Sequence, residues 1–287
     1  LFAAPNVTKL DDFLFRYFQP NINTGATGLS DQTTLQSVSA LHNLNNNKVA
    51  IRIFADASPE YLRAHVRDNL KGRVWESTSP LKPLRPVSPP PLLKDIVGSN
   101  LFFQLRPDDG NFGQPFQVWS ADYQRDLLFT TLNTAFVAAS PTLMKTDTHL
   151  HCAVEGLPQS RPYLIFDGAI PTNDILDDAT RQQCLQVPES LTEKARQACM
   201  AVTKEQQTDA DKIRAVTHYF RSNYAYQYGI QIPPQQDPLS YLLEERPPAH
   251  CEYFASGAVI MLRLAGVPAR YVTGFVVTEK NTSGGYW

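Results

Sequence analysis

Short runs of alternating apolar and polar residues fill the stretch from Lys48 to Gly168, with Gly and Pro between them. A period of two marks a strand with one buried face. KVAIRIFAD (Lys48 to Asp56) is one such run. YLRAHVRDN (Tyr61 to Asn69) is another, with Leu62, Ala64 and Val66 on one face and Arg63, His65 and Arg67 on the other. A tight turn is predicted at Lys71 to Arg73. NLFFQLRP, PFQVWSA, LLFTTL, AFVAAS, HLHCAVEG and YLIFDG are further strand candidates. Many short strands separated by turn residues predict an antiparallel sandwich or barrel. Upstream, DDFLFRYF (Asp11 to Phe18) reads as a short amphipathic helix and NINTGATGLSDQT as loop.

Near Gln182 the period becomes helical. LQVPESLTEKARQACMAVTKE predicts a helix opening at Glu189 or Ser190. TDADKIRAVTHYFRSNYAYQYG predicts a second, capped by Thr208 or Asp209, with Ile213, Val216, Tyr219 and Phe220 at helical spacing. The acidic pair Asp177–Asp178 reads as a loop before a helix. Pro247 and Pro248 cannot lie inside a helix, so the next one begins after them. It runs from Cys251 through Phe254, Ala255, Ala258, Val259, Met261 and Leu262 and ends at Gly266, with Pro268 beyond.

Cys251 therefore falls in a first helical turn. Unpaired backbone N–H groups and the helix dipole stabilise a thiolate there and lower its pKa. Such a thiolate can attack an acyl carbon, and the same N–H groups can hold the resulting oxyanion. The alternative for any free cysteine is a small buried apolar residue.

The run DPLSYLLEERPPAHCEYFASGAVIMLRLAGVPARYVTGF, Asp237 to Phe275, carries more than one cysteine. Arg246, Cys251, Phe254, Ala255, the pair Leu262–Arg263, the turn Gly266 to Arg270 and a strand ending in Gly274 follow one another in order. In these residues the chain resembles the transglutaminase-like superfamily. The resemblance implies a papain-like thiol fold, with the Cys opening a core helix and a His and an Asp on the strands that follow. It implies that Cys251 is the nucleophile and that its backbone N–H is one oxyanion donor. A second donor comes from an upstream side chain, for which Tyr226 and Tyr228 are the candidates. Arg246 and Arg270 are expected to tie the Cys loop to the following strand.

The chain is most similar in plan to bacterial membrane-anchored proteins with an extracytoplasmic transglutaminase-like domain behind a β-rich one. VAIRIFADASPEYLRAHVRDNLKGRVW, Val49 to Trp75, looks like the opening of that β-rich domain. The expected fold is thus α+β. A β-rich, sandwich- or barrel-like domain covers 1–181, and a partial papain-like transglutaminase core covers 182–287. The superfamily's His and Asp are expected beyond Trp287, so the core is read as incomplete and the chain alone as turning over little substrate. His250 points away from its neighbour at the helix start, His218 lies on the preceding helix, and His149 and His151 lie in the other domain. None is expected to serve as the base.

Composition narrows the picture further. A length of 287 residues suits two domains, and 43% apolar residues suffice for a core. With a net charge of −2, nothing points to nucleic acid or an anionic membrane surface. Prolines concentrate in SPLKPLRPVSPPPLLK, Ser79 to Lys94, which reads as an extended loop. The sequence contains no apolar run of about 18 residues and no recognisable signal peptide. With the resemblance, that implies a soluble piece of a membrane-anchored, extracytoplasmic protein.

No cofactor is implied. His149, His151 and Cys152 invite a zinc reading, but a zinc site takes three or four ligands and no second cluster stands nearby, so no metal is expected. Cys184 and Cys199 either form a disulfide or are two buried thiols. The expected substrate is a glutamine carboxamide or peptide bond of a protein or peptide, with an amine or water as acceptor. Two other classes stay open: a non-catalytic binding module, and a β-rich recognition module that the thiol domain merely supports.

Overall fold

The computed structural model describes residues 33–35, 49, 51–107, 112–120, 126–158, 160–169, 176–227 and 229–287. The helix expected at Asp11 to Phe18 and the residue Tyr228 lie outside them. The strands are β1 Thr33–Thr34, β2 Ile51–Phe54, β3 Glu60–Arg67, β4 Asn69–Lys71, β5 Val74–Glu76, β6 Lys82–Pro83, β7 Leu101–Gln104, β8 Phe116–Ser120, β9 Thr134–Ala139, β10 Leu143–Thr146, β11 Cys152–Glu155, β12 Tyr163–Asp167 and β13 Tyr271–Val277. The helices are α1 Lys94–Val97, α2 Asp178–Gln183, α3 Glu193–Thr203, α4 Asp209–Asn223, α5 Pro238–Glu245 and α6 Cys251–Leu264.

The alternating runs build two layers. One is an antiparallel sheet in the order β2-β8-β12-β9-β7. The second starts with β13 against β3. Arg63 and Thr130 exchange backbone hydrogen bonds at 2.8 and 3.1 Å, which brings in residues 127–130. Leu128 and Val154 carry the layer on to β11, which pairs with β10, and β10 with β6. Ile53, Val118, Val137 and Ile165 of the first layer meet Leu62, Ala64, Phe129, Met144, Val154 and Val277 of the second in one core. The β-rich region is a sandwich. Its outer core, Phe102, Phe136, Leu164 and Phe166, lies under Leu93 and Val97. The proline-rich segment is therefore more than an extended loop: it ends in a 3-10 turn and α1 that cover a sheet face.

Two strand candidates fold differently. LLFTTL makes isolated bridges only, at Leu127 and Thr130. Past Thr130 a turn takes over, in which Thr131 N–H donates to Thr134 Oγ1 at 2.9 Å. HLHCAVEG becomes strand only at Cys152. Asp147 Oδ1 accepts from the backbone N–H of His149 at 2.8 Å and of His151 at 3.0 Å, which holds a turn with Leu150 at φ 60.

Helices α3 to α6 pack around a separate core that includes Phe220, Leu242, Tyr253, Phe254 and Met261. Thr192 caps α3, accepting from Ala195 N–H at 3.2 Å. The start expected at Glu189 or Ser190 comes later because Ser190 bonds Asp237 instead. Thr208 caps α4, as its sequence indicates, and Asp237 caps α5 ahead of Pro238.

Among the contacts that join the core to the sandwich across the expected boundary at 181–182, two come from strands. Trp75, from the β4–β5 hairpin, is 1% exposed in the helical core, and its indole N–H donates to Ser256 Oγ at 2.8 Å. Strand β13 pairs with β3 along its whole length, with a bulge between Val272 and Gly274. A Cβ at Gly274 would stand 2.0 Å from Leu62 O, so only glycine lets the strands approach this closely.

Candidate functional site

Cys251 is the first residue of α6, as the two prolines require. Arg246 ends α5 in the left-handed region at φ 53, and the chain then turns through Pro247 and Pro248. A parallel bridge joins Ala249 to Tyr226, with Gln227 N–H donating to Ala249 O at 2.8 Å and Ala249 N–H to Ala225 O at 3.1 Å. This bridge fixes the helix start. Behind it Tyr253, Phe254 and Ser256 are fully buried, and Gly257 leaves room for Phe220, whose Cζ would lie 2.8 Å from an added Cβ. Cys251 is exposed, whereas Cys152, Cys184 and Cys199 are buried.

The thiol is not the pre-formed thiolate that the helix start suggests. Protein packed around the sulfur pushes it up to about 11, and the Glu252 carboxylate pushes the same way. The N–H groups of Cys251 and Glu252 pull downward but are outweighed. At neutral pH this thiol keeps its proton, and attack needs a base.

The histidines are engaged elsewhere. His250 is 2% exposed, with its ring 5.0 Å from that of Tyr253 and its Nε2 3.5 Å from Glu252. His218 sits at 3.4 Å from Ser222 along α4. His65 and His151 stack edge-on at 5.1 Å. Burial, followed by Arg67, pushes His65 down to about 3. His149 contacts Asp68 through Nε2 at 2.9 Å and Arg270 through Nδ1 at 2.7 Å. The HLHC residues do not converge, since Cys152 Sγ turns to Leu150 O and Thr146. Among the described residues no group of three or more His, Cys, Asp or Glu is placed to hold a metal. Cys184 and Cys199 are free thiols, both raised by burial.

Of the oxyanion candidates, Tyr226 flanks the helix start through its bridge, and its ring lies 6.4 Å from that of Phe254. Tyr228 is outside the described residues. The two arginines expected to join the Cys loop to the next strand do other work. Arg246 lies over Tyr219 at 5.7 Å and reaches Asn223, so it braces α4. Arg270 crosses to His149 in the sandwich. A distal groove on α3 and α4, lined by Val202, Arg214 and His218, includes no residue of α6.

Arg263, named above only as part of the Leu262–Arg263 pair, is the anchor, buried in the last turn of α6, and that role was not read from the sequence. It donates to Ala269 O at 2.9 and 2.7 Å, to Gln186 O at 2.7 Å and to Asp68 O at 2.8 Å, and lies 5.4 Å over the Trp75 ring. Burial pushes it down to about 10, so it stays charged. The available signal was a lone cation directly after the apolar run Val259 to Leu262.

Comparison with known proteins agrees with this geometry. Residues 196–287 match the sequence model of the transglutaminase-like superfamily. A stretch of 104 residues is 35% identical to the uncharacterized protein YebA of Bacillus subtilis (strain 168), covering 35% of this chain and 14% of YebA. The chain thus spans about a seventh of that relative's length. The crystal structure of the periplasmic domain of TgpA from Pseudomonas aeruginosa superposes with a TM-score of 0.59 over 91% of this chain and 85% of that one, at 18% identity. Its ethylmercury-bound form gives a TM-score of 0.60 over 90% and 86%, also at 18% identity. No described helix is long and apolar enough to cross a membrane. Residues 196–287 are therefore similar to the core of the transglutaminase-like superfamily, and with its sandwich the chain shares the fold of the TgpA periplasmic domain.

Proposed function

We propose that this chain is the extracytoplasmic part of a membrane-anchored thiol acyl-transfer enzyme of the transglutaminase-like type. Cys251 attacks a glutamine carboxamide or a peptide carbonyl, forms a thioester and releases ammonia or an amine. An amine acceptor then gives a cross-link, and water gives a carboxylic acid. The substrate class is protein or peptide of the cell envelope. One observation carries this reading: the exposed cysteine stands at the first turn of a largely buried helix, beside open backbone N–H groups. The proton on Cys251 needs a base, and the described histidines are engaged elsewhere, so the chain by itself turns over little substrate at neutral pH.

That same protonated thiol supports a second reading, a non-catalytic binding or interaction module of a cell-envelope protein. The deciding experiment incubates the chain with a glutamine peptide and a labelled amine at pH 7 and pH 10, and repeats both with Cys251→Ala. At pH 10 thiolate forms without a base, so an enzyme gives product that requires Cys251, and amide or free acid identifies the acceptor. No product at either pH, with Cys251 alkylated by iodoacetamide no faster than glutathione, supports the binding module.

A further inference from the structure

Between the sandwich and the thiol core runs a line of buried polar contacts that acyl transfer leaves unused. Asp68 and His149 belong to the sandwich and are 1% and 3% exposed. Arg270 stands at the entry to β13 and donates from its guanidinium to His149 Nδ1 at 2.7 Å. A guanidinium has no acceptor, so Nδ1 must offer its lone pair and the ring proton must sit on Nε2. That proton faces Asp68 Oδ2 at 2.9 Å. The Asp68 carboxylate also accepts from Thr78, from N–H at 2.8 Å and Oγ1 at 2.6 Å. Meanwhile the backbone carbonyl of Asp68 accepts from Arg263, in the last turn of α6, at 2.8 Å.

One sandwich residue thus holds both ends of the connection from α6 to β13. We propose that Asp68 and His149 are positioning residues for the thiol site, acting through Arg263 and Arg270 to set β13 against the helix that carries Cys251. The arrangement has a direction: a donor must face Asp68 and an acceptor must face Arg270. A second proton on His149 would place two donors head to head at Nδ1. Burial tends to raise the Asp68 carboxyl, but hydrogen bonds from His149 and Thr78 outweigh it and hold it at about 2, so it is an anion at neutral pH. The other charged and titratable groups facing this line are Asp147, which accepts from His149 N–H at 2.8 Å, Arg63, which reaches His149 O at 3.5 Å, Arg263, and Cys184, whose free thiol brings no charge.

The proposal rests on the enzymatic reading only in its second readout. His149→Gln keeps the direction, with a carboxamide N–H toward Asp68 and its oxygen toward Arg270. His149→Leu abolishes it. In the 287-residue chain, backbone amides of Tyr271 to Val277 are expected to exchange about tenfold faster in His149→Leu and within about threefold of wild type in His149→Gln. Amides of β9 and β12, across the sandwich, stay unchanged in both. Asp68→Asn, which keeps the side-chain volume, shifts exchange in the same direction and serves if His149→Leu does not fold. Alkylation of Cys251 by iodoacetamide follows the same order, since the other three cysteines are buried. Equal exchange in the Gln and Leu variants overturns the directional clasp whatever Cys251 does. A wild-type alkylation rate in His149→Leu overturns its role in positioning the thiol.

Discussion

The two ends of α6 are built on opposite terms. At its N-terminus His250 offers no side-chain cap, the first N–H groups face an exposed cysteine, and the nearest tie is the Tyr226–Ala249 bridge. At its C-terminus Arg263 reaches the carbonyls of Asp68, Gln186 and Ala269. The buried end spreads one guanidinium over three carbonyls, while at the open end the first N–H groups meet only the thiol. A reactive helix terminus needs that contrast, because donors already paired inside the protein cannot receive an oxyanion. Rigidity has to come from the far end.

Removing the anchor should have the largest effect. Arg263→Leu strands the buried carbonyl of Asp68 and the part-buried carbonyls of Gln186 and Ala269, and is expected to cost about 4 kcal/mol, read as a shift in the urea midpoint with an unchanged slope. If it costs less than about 1 kcal/mol, the two ends do not differ as described.

Next comes the strand that the anchor holds. Gly274→Ala sets a methyl against Leu62 O, and the β13–β3 ribbon must part, at about 3 kcal/mol by thermal melting.

Acid should loosen the same side. Burial and Arg67 keep His65 at about 3 in the folded chain, against 6.5 unfolded. Between those values the unfolded chain carries a proton that the folded one refuses. Stability is therefore complete above 6.5 and falls as pH drops through the window, by about 2 kcal/mol at pH 5. His151, lowered chiefly by burial, adds in the same sense. His65→Asn should flatten that slope.

The smallest effect on stability belongs to the open end. Glu252→Gln is expected to leave the urea midpoint within about 0.5 kcal/mol. It removes a carboxylate that raises the Cys251 thiol, so alkylation at pH 8 should speed up about threefold.

How much of this was legible beforehand follows from the range of each interaction. Pro247, Pro248 and Gly266 bracket α6 by local backbone rules, and both boundaries fall close to where those residues place them. The alternation in β3 correctly separated Leu62 and Ala64 from Arg63, His65 and Arg67. It could not show that both faces are buried, because the cover on the polar face comes from the turn at His149 to His151 and from residues near Arg270. Arg270 was visible as a residue with a motif position, yet its partner is more than a hundred residues away. The thiol was misjudged for a related reason. Helix-terminus stabilisation is local and can be read from sequence, whereas desolvation depends on everything that packs around the sulfur.

The pairing of β13 with β3 also sets an order of events during synthesis. Strand β3 leaves the ribosome roughly two hundred residues before its partner. Until then its edge stays open, and loop-closure entropy delays the match. This half of the sandwich therefore closes only after the helix that carries Cys251 has been made, and the waiting β3 edge is where neighbouring nascent copies would pair first.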